Sequence, residues 1–355
     1  RLFDVLGVTV EYYNKLTTDL LLDATVPSTT GFSSTLMNIG SMVNRGWEIA
    51  VNADILRNRN GWNLSVGANW SHVHNEVLSL SEEGESIVDT PYVWQQGYAF
   101  YQYRTRYYMG VCQEDNYMGN SRLKAGNPMY AEGSWYEKGE IADQTVVLKN
   151  GTVINEGQAV PEDTYNYYPT NRNNSSNMIL DGMTAIPKGF GGFNVNLGYK
   201  GLTLDMAWSY KYGHYIWDEG VEQMESDGYY DFHRNIAKAQ LNAWTSTNTD
   251  TDVPRLDGDT QVGQTNVDRY VVSSNFLSLN NVTLGYTLPA KLVSKIKLSS
   301  VRFYVTGENL AVLSARQGID PRFTIGLGGY TSGSGVNQSY YSARRTITGG
   351  VTVMF

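Results

Sequence analysis

The sequence predicts an all-β fold, a transmembrane antiparallel β-barrel or a section of one, with long loops at one end. Three observations carry that prediction. Apolar side chains recur at every second position over segments of about ten residues, the length a tilted strand needs to cross a bilayer. Short and long connections alternate between those segments. The composition is rich in interfacial aromatics, with 26 Tyr, 8 Trp and 36 Gly in 355 residues, and only 17% of the residues are charged. Tyr and Trp combine an apolar body with a polar tip and settle at water–lipid boundaries.

The elements follow in chain order. Val8-Thr9-Val10-Glu11-Tyr12 opens the alternation. Trp47, Ile49, Val51, Ala53 and Ile55 then alternate with Glu48, Asn52 and Asp54, and Trp62, Leu64, Val66, Ala68 and Trp70 with Asn63, Ser65, Gly67, Asn69 and Ser71. Asn58-Arg59-Asn60-Gly61 joins the two as a tight hairpin. Phe193, Val195, Leu197 and Tyr199 lead through Lys200-Gly201 into Leu202, Leu204, Met206, Trp208, Tyr210 and Tyr212. The charged residues of this hairpin, Asp205 and Lys211, fall on the face opposite the aromatics. An Arg or Lys turned to lipid at the midplane costs about 2–4 kcal/mol, so charges belong on a wet lumen. Val282, Leu284 and Tyr286 form a third pair with Val301, Phe303 and Val305, and Leu288-Pro289 ends the first of its strands, since Pro has no N–H for the ladder. Residues 345–355 close the set on Phe355, bringing the count to eight crossings.

Short links are expected near 57–61, 200–201 and 289–299, and long ones near 20–43, 75–188, 214–275 and 313–343. That is the pattern of short periplasmic turns and long extracellular loops, and it puts Phe355 at the periplasmic end. Residues 98–112 are strand-like but would break the alternation as a crossing. They are assigned to an extracellular hairpin, together with the Asn150-Gly151 turn.

Composition bounds the function as well. The net charge of −8 argues against nucleic acid as a partner. Cys112 is the only cysteine, which excludes an intrachain disulfide and a cysteine metal cluster. No run of about 18 apolar residues provides a spanning helix, and a mean hydropathy of −0.36 is compatible with strands apolar on one face only. There is no signal peptide, and residue 1 is Arg, so the sequence is expected either to begin partway through a longer chain or to have lost its leader.

At Thr17-Thr18-Asp19-Leu20-Leu21-Leu22, Pro27, Gly31-Phe32 and the block from Asn38 through Ser41, Asn44-Arg45-Gly46 and Trp47 to Glu48, the chain resembles the SusC/RagA family of TonB-linked outer-membrane proteins. The resemblance continues at 187–193, through Phe276-Leu277-Ser278-Leu279-Asn280-Asn281 to Pro289, at 301–310 with Gly307-Glu308-Asn309-Leu310, at 318–321 and at 345–355. The blocks keep the family's order and spacing from about residue 5 onward. The resemblance implies a barrel of about 22 strands with an N-terminal plug, of which residues 1–355 would be the C-terminal portion. It implies import of oligosaccharides or peptides driven through TonB, beneath a SusD-like surface lipoprotein, in the bacterial outer membrane, and a dimer of such pairs. Contact with the TonB complex would run through polypeptide outside these residues. By the same resemblance Phe355 is the membrane-assembly signal. The alternative is a passive porin, or a small barrel closed by these eight strands alone.

No enzyme activity and no cofactor are expected. A barrel-embedded hydrolase would need a Ser or carboxylate constellation at the rim, and no Gly-x-Ser-x-Gly elbow appears. His72 and His74 share one strand face at ligand-like spacing, but no third His or Cys lies near in sequence, and the bland reading is a barrel rim. Asp250, Asp252, Asp257 and Asp259 could hold calcium or form a solvated acidic loop. Glu82-Glu83-Gly84-Glu85 reads as a solvated stretch, and Gly326-Leu327-Gly328-Gly329 as a flexible loop. The candidate substrate contacts are the loop aromatics Trp94, Tyr98, Tyr101, Trp135, Tyr136, Trp217 and Trp244, since aromatic faces beside polar groups meet sugar rings and peptides alike. The bland reading is that they pack the loops.

Overall fold

The structure, a computed structural model, describes residues 5–25, 29, 31, 34–80, 86–89, 91–171, 176–225, 235–256, 266–314, 320–322 and 343–355. Pro27, Phe32, the Glu82–Glu85 run, Tyr229, Tyr230, Asp257, Asp259, Gly318 and the Gly326–Gly329 stretch lie outside the described residues.

The period-two segments form eight long strands: β1 (Leu6–Thr18), β2 (Ser41–Arg59), β3 (Trp62–Ser79), β4 (Gly189–Tyr199), β5 (Leu202–Tyr212), β6 (Phe276–Thr287), β7 (Ser300–Ser314) and β8 (Thr346–Met354). They pair antiparallel in sequence order, each with its neighbours only. Among the described residues β1 and β8 therefore each have one partner, and the sheet is open. The alternative of a small barrel closed by these strands alone is not what they form.

The turns explain themselves locally. Asn60 and Gly61 take φ of 53° and 85°, and Lys200 and Gly201 take 45° and 91°. Two consecutive positive φ values define the type I′ turn whose twist matches a hairpin, and Gly supplies the second position without strain. The third short link carries a helical turn at Ala290–Val293, begun by Pro289.

Cross-strand register sorts the side chains onto two faces. One row reads Tyr199, Leu202, Tyr286, Phe303 and Val351, starting beside Trp62; another reads Val195, Met206, Val282, Gly307 and Ile347. Tyr12, Trp47 and His72 fall in register on the same face toward the other end. From the Arg59 turn up to Arg45, none of the described strand residues on this face is charged. The aromatics thin out in the middle and gather at the two ends, the arrangement of an apolar band between interfacial girdles. Ten residues of β3 separate Trp62 from His72; at about 3.3 Å each and a tilt of about 40°, they span about 25 Å. The band is oblique. It extends to Leu16 on β1, beyond the row of Trp47, and to Phe355 past β8, beyond the row of Trp62. A sheet of tilted strands requires such a stagger.

The opposite face is polar, and many of its side chains bond one another. Asn75 donates to Asn44 at 2.8 Å, Asn280 to Ser209 at 2.9 Å, and the Thr283 and Thr306 hydroxyls meet at 2.9 Å. Asp54 pairs with Arg57 at 3.0 Å, and Asp205 lies 4.0 Å from Arg302. Asp54, Arg57 and Asp205 border a hollow of about 470 Å³ lined by Asn63, Ser65, Asn196 and Thr203 as well.

Residues 98–112 do not cross the sheet, but they are not one hairpin either. Gln102–Arg106 pairs with Tyr92–Gln95 and Asn177–Thr184, while Tyr108–Val111 pairs with Pro128–Ala131 in a separate small sheet. Val146–Val147 and Val153–Ile154 form the expected hairpin, with Gly151 at φ 85°.

Candidate functional site

The long connections leave the sheet at the end away from the I′ turns, and two of them build a single body. Its core consists of Tyr92, Tyr101, Tyr103, Tyr130, Leu180 and Ala185 from the 80–188 loop, packed on Trp217, Val267, Tyr270 and Val271 from the 213–275 loop. Periodicity could not reveal this, because neither loop repeats at a fixed spacing.

The seam between the loops is polar and specific. Arg106 and Val267 form a backbone bridge, and Tyr108 N–H donates to Asp268 Oδ1 at 2.9 Å. The Arg269 guanidinium stacks over Tyr108 at 5.0 Å. The buried carboxylate of Glu222 accepts from Trp217 Nε1 at 2.7 Å and from Asn266 N–H at 2.9 Å. Burial raises the Asp268 carboxyl to about 6, against hydrogen bonds from Tyr108 and Arg269 that favour its charged form. Burial also raises the Tyr103 phenol well above its ordinary range, reinforced by Tyr92. His214, buried where β5 meets the loop, is lowered to about 3, first by burial and then by Lys211.

Side chains at the rim of the sheet hold this body and the last long loop in place. Asn75 accepts from Phe100 N–H at 2.7 Å, and Asn275 from Gly213 N–H at 2.7 Å. Ser274 Oγ donates to the Pro321 carbonyl at 3.0 Å. Arg322 holds Asp320 through two hydrogen bonds of 2.8 and 2.6 Å and reaches Asn309 Oδ1 at 2.6 Å and Ser278 Oγ at 3.3 Å. Asp320 also accepts from Ala343 N–H at 3.2 Å, so one carboxylate joins both ends of the last long loop. Burial opposes ionisation of Asp320, but the bonds from Arg322 and Ala343 outweigh it and hold the carboxyl below its usual range. Asn309 and Asp320 come from two separate blocks of the family resemblance, and Arg322 is what joins them.

The sequence-selected aromatics separate by environment. Tyr101 and Trp217 lie in the core, and Tyr136 is buried in a small satellite core where its hydroxyl donates to Asp143 at 2.6 Å. Trp94 is half-buried and stacks on Phe100 at 4.9 Å. Trp244 donates to Gln113 at 3.1 Å. Tyr98 is half-buried near Tyr165 and Asp181. Trp135 is the most open, 50% exposed against Tyr165. Phe355 is 93% exposed beyond the last strand. His74 hydrogen-bonds Glu76 at 3.0 Å near Arg45, and no group of three metal-ligating side chains occurs among the described residues. Sequence reasoning passed over His214, Asp268 and Arg322; for Arg322 the neighbouring block at 318–321 was the available signal.

An apolar band, a polar face and a packed loop body at one rim define the class: a section of a transmembrane barrel. No family model matches the chain. It is 27% identical over 355 residues to TonB-dependent receptor P26 of Formosa agariphila, covering 98% of this chain and 32% of that protein. To TonB-dependent receptor SusC of Bacteroides thetaiotaomicron it is 24% identical over 335 residues, covering 90% and 28%. In fold it is similar to a chain in the structure of the RagAB peptide transporter, with TM-score 0.75 and 24% identity over 99% of this chain and 34% of that one. The chain is SusC/RagA-like, an all-β piece consistent with part of a TonB-dependent barrel, and it spans about a third of the length of its relatives. Those relatives are named as receptors and transporters, not enzymes.

Proposed function

We propose that residues 1–355 are the C-terminal portion of the barrel of a SusC-like, TonB-dependent importer in the bacterial outer membrane. The observation that carries this reading is the sheet: apolar on one face with aromatics at both margins, polar on the other, and open at both edges. The apolar face meets lipid and the polar face lines the lumen, with the I′ turns periplasmic and the loop body outside the cell. Further strands and a plug complete the wall, and coupling to TonB runs through them. A SusD-like lipoprotein covers the loop body, and two such pairs associate. The cargo is an oligosaccharide or a peptide. Trp135, the most accessible of the seven candidate aromatics, with Tyr98, Trp94 and Trp244 serves as contact surface, whereas Tyr101, Tyr136 and Trp217 act by packing. Phe355 signals assembly.

The test is uptake by cells producing the full-length protein, with and without TonB. Uptake of labelled peptide or oligosaccharide should fall to background without TonB, and the protein should fractionate with the outer membrane. Undiminished uptake without TonB would identify a passive pore and sink the reading.

A further inference from the structure

We infer that His214 is an acid-sensitive latch at the neck of the 213–275 loop: the neck closes around a neutral imidazole and opens when that ring takes a proton. The latch needs neither cargo nor TonB, and its failure would leave the importer reading standing.

The neck is where the two ends of this loop leave β5 and β6. Gly213 N–H donates to Asn275 Oδ1 at 2.7 Å, and Ser274 N–H to the His214 carbonyl at 3.1 Å. Above them Tyr215, Ile216 and Trp217 pair with Ser273, Val272 and Val271. Gly213 takes φ of 71°, and the stem of Lys188 occupies the space a Cβ would need there.

His214 is enclosed at the foot of this ladder with no exposed surface, and neither Nδ1 nor Nε2 has a hydrogen-bond partner among the described residues. Other buried ionisable groups are engaged. Glu222 accepts two hydrogen bonds, Asp320 is held by Arg322, Asp218 accepts from Val221 N–H, and the Cys112 thiol reaches the Glu114 carbonyl. Charged groups stand on each element packed around the neck. They are Lys211 on β5, Lys188 before β4, and Asp320 and Arg322 beside Pro321, whose carbonyl takes the Ser274 hydroxyl. Arg104 and Arg106 lie on the strand whose Tyr103 bonds the Tyr215 carbonyl, and Asp181 lies on Asn177–Thr184. Asp218, Glu222, Asp268 and Arg269 stand at the far end of the ladder. None of them bonds the ring, and Lys211 is the one whose charge acts on it.

A proton would make both ring nitrogens donors where no acceptor waits, beside a like charge. The closed neck therefore keeps the imidazole neutral; burial, then Lys211, lowers its folded value to about 3. In an open neck the ring meets water and returns to its ordinary value of about 6.5. Closure is thus favoured above that ordinary value and weakened as pH falls from it toward 3. From pH 7 to pH 5 the open fraction should grow about 25-fold. Asp268, whose folded value is raised, titrates with the opposite sign, so the two must be separated.

Hydrogen exchange of the full-length protein in detergent, corrected for intrinsic rates, tests this at amides 215–217 and 271–274 in an Asp268→Asn background. Exchange there should quicken about 25-fold from pH 7 to pH 5, while amides 64–70 of β3 stay unchanged. Adding His214→Gln should abolish the acid response. Adding His214→Leu, which also removes the unpartnered nitrogens, should abolish it and slow exchange at pH 7 by about fivefold or more. Heat-shifted gel mobility identical to wild type confirms that each variant is folded. On the unsubstituted chain, exchange of the imidazole C2 hydrogen, followed by mass spectrometry, should titrate at His214 well below the ordinary histidine range. An equal acid response with and without His214→Gln would overturn the inference, as would titration of His214 within the ordinary range.

Discussion

The sheet and the loop body are built on opposite plans. All ten residues of the main buried core belong to the two long loops, and none to the eight strands. The strands leave Val8, Val10, Leu284, Phe303, Val305 and Val351 exposed by 47–56%. They are held together by ladder hydrogen bonds, with their apolar side chains directed at the surroundings. The loop body buries Tyr103, Tyr130 and Tyr270 almost completely, as a water-soluble domain does. On the proposed importer reading one molecule thus uses two solvents: lipid is the apolar phase for the wall, and the protein's own interior is the apolar phase for the loops.

The comparison is broken most severely by hollowing out the loop body. Val267→Asp or Tyr103→Ala should cost about 3–5 kcal/mol through a cavity or an unpaired charge, making residues 80–188 sensitive to trypsin. The wall should keep its strand circular dichroism and its heat-shifted mobility; collapse of both together would show that they are one cooperative unit. Next comes a charge on the wall. Val282→Arg, on the apolar face, should cost about 2–4 kcal/mol in a denaturant titration in lipid vesicles, while Thr283→Arg, one residue away on the polar face, should be close to neutral. Equal losses at both positions would remove the distinction between the faces.

The connection between the regions gives smaller effects. Arg322→Ala leaves the Asp320 carboxylate without its main partner and should cost about 1–3 kcal/mol, read as faster hydrogen exchange at 275–279 and 343–347. Because the folded Asp320 carboxyl is held below its ordinary value, its contribution is present above the usual carboxylate range and is lost as pH falls through it. Asp268 should show the opposite sign. Its folded value is raised to about 6, so the seam is firmest below the ordinary value near 4 and loses stability as pH rises through 6. Between pH 5 and pH 8 the loss should be about 1 kcal/mol, measured as hydrogen exchange at 104–111 corrected for intrinsic rates, and Asp268→Asn should abolish it.

Legibility follows the same division. Every strand of the wall could be read from residues such as Trp62, Leu64 and Val66, because a period of two is a local property and the phase of Asp205 or Arg302 reports the wet face. Turn chemistry at Asn60-Gly61 and Lys200-Gly201 was local as well. The loop body was not legible, since whether Tyr101 is core or Trp135 is surface depends on contacts with residues thirty or more positions away, such as Trp217 and Tyr165. The 98–112 segment looked like one strand because nothing local marks the break at Tyr107, where the chain passes from one small sheet to another.

The attachments of the loop body also form a load path. Apart from the chain itself, a pull on the loops reaches the wall through the backbone bonds of Val77 with Gly97 and Tyr98 and through side-chain grips: Asn75 on Phe100, Asn275 on Gly213, Ser274 on Pro321, and Arg322 on Asn309 and Ser278. The last three converge on the upper ends of β6 and β7. A pull on the last long loop therefore enters the sheet at β6 and β7, whereas a pull on the 80–188 loop enters it at β3.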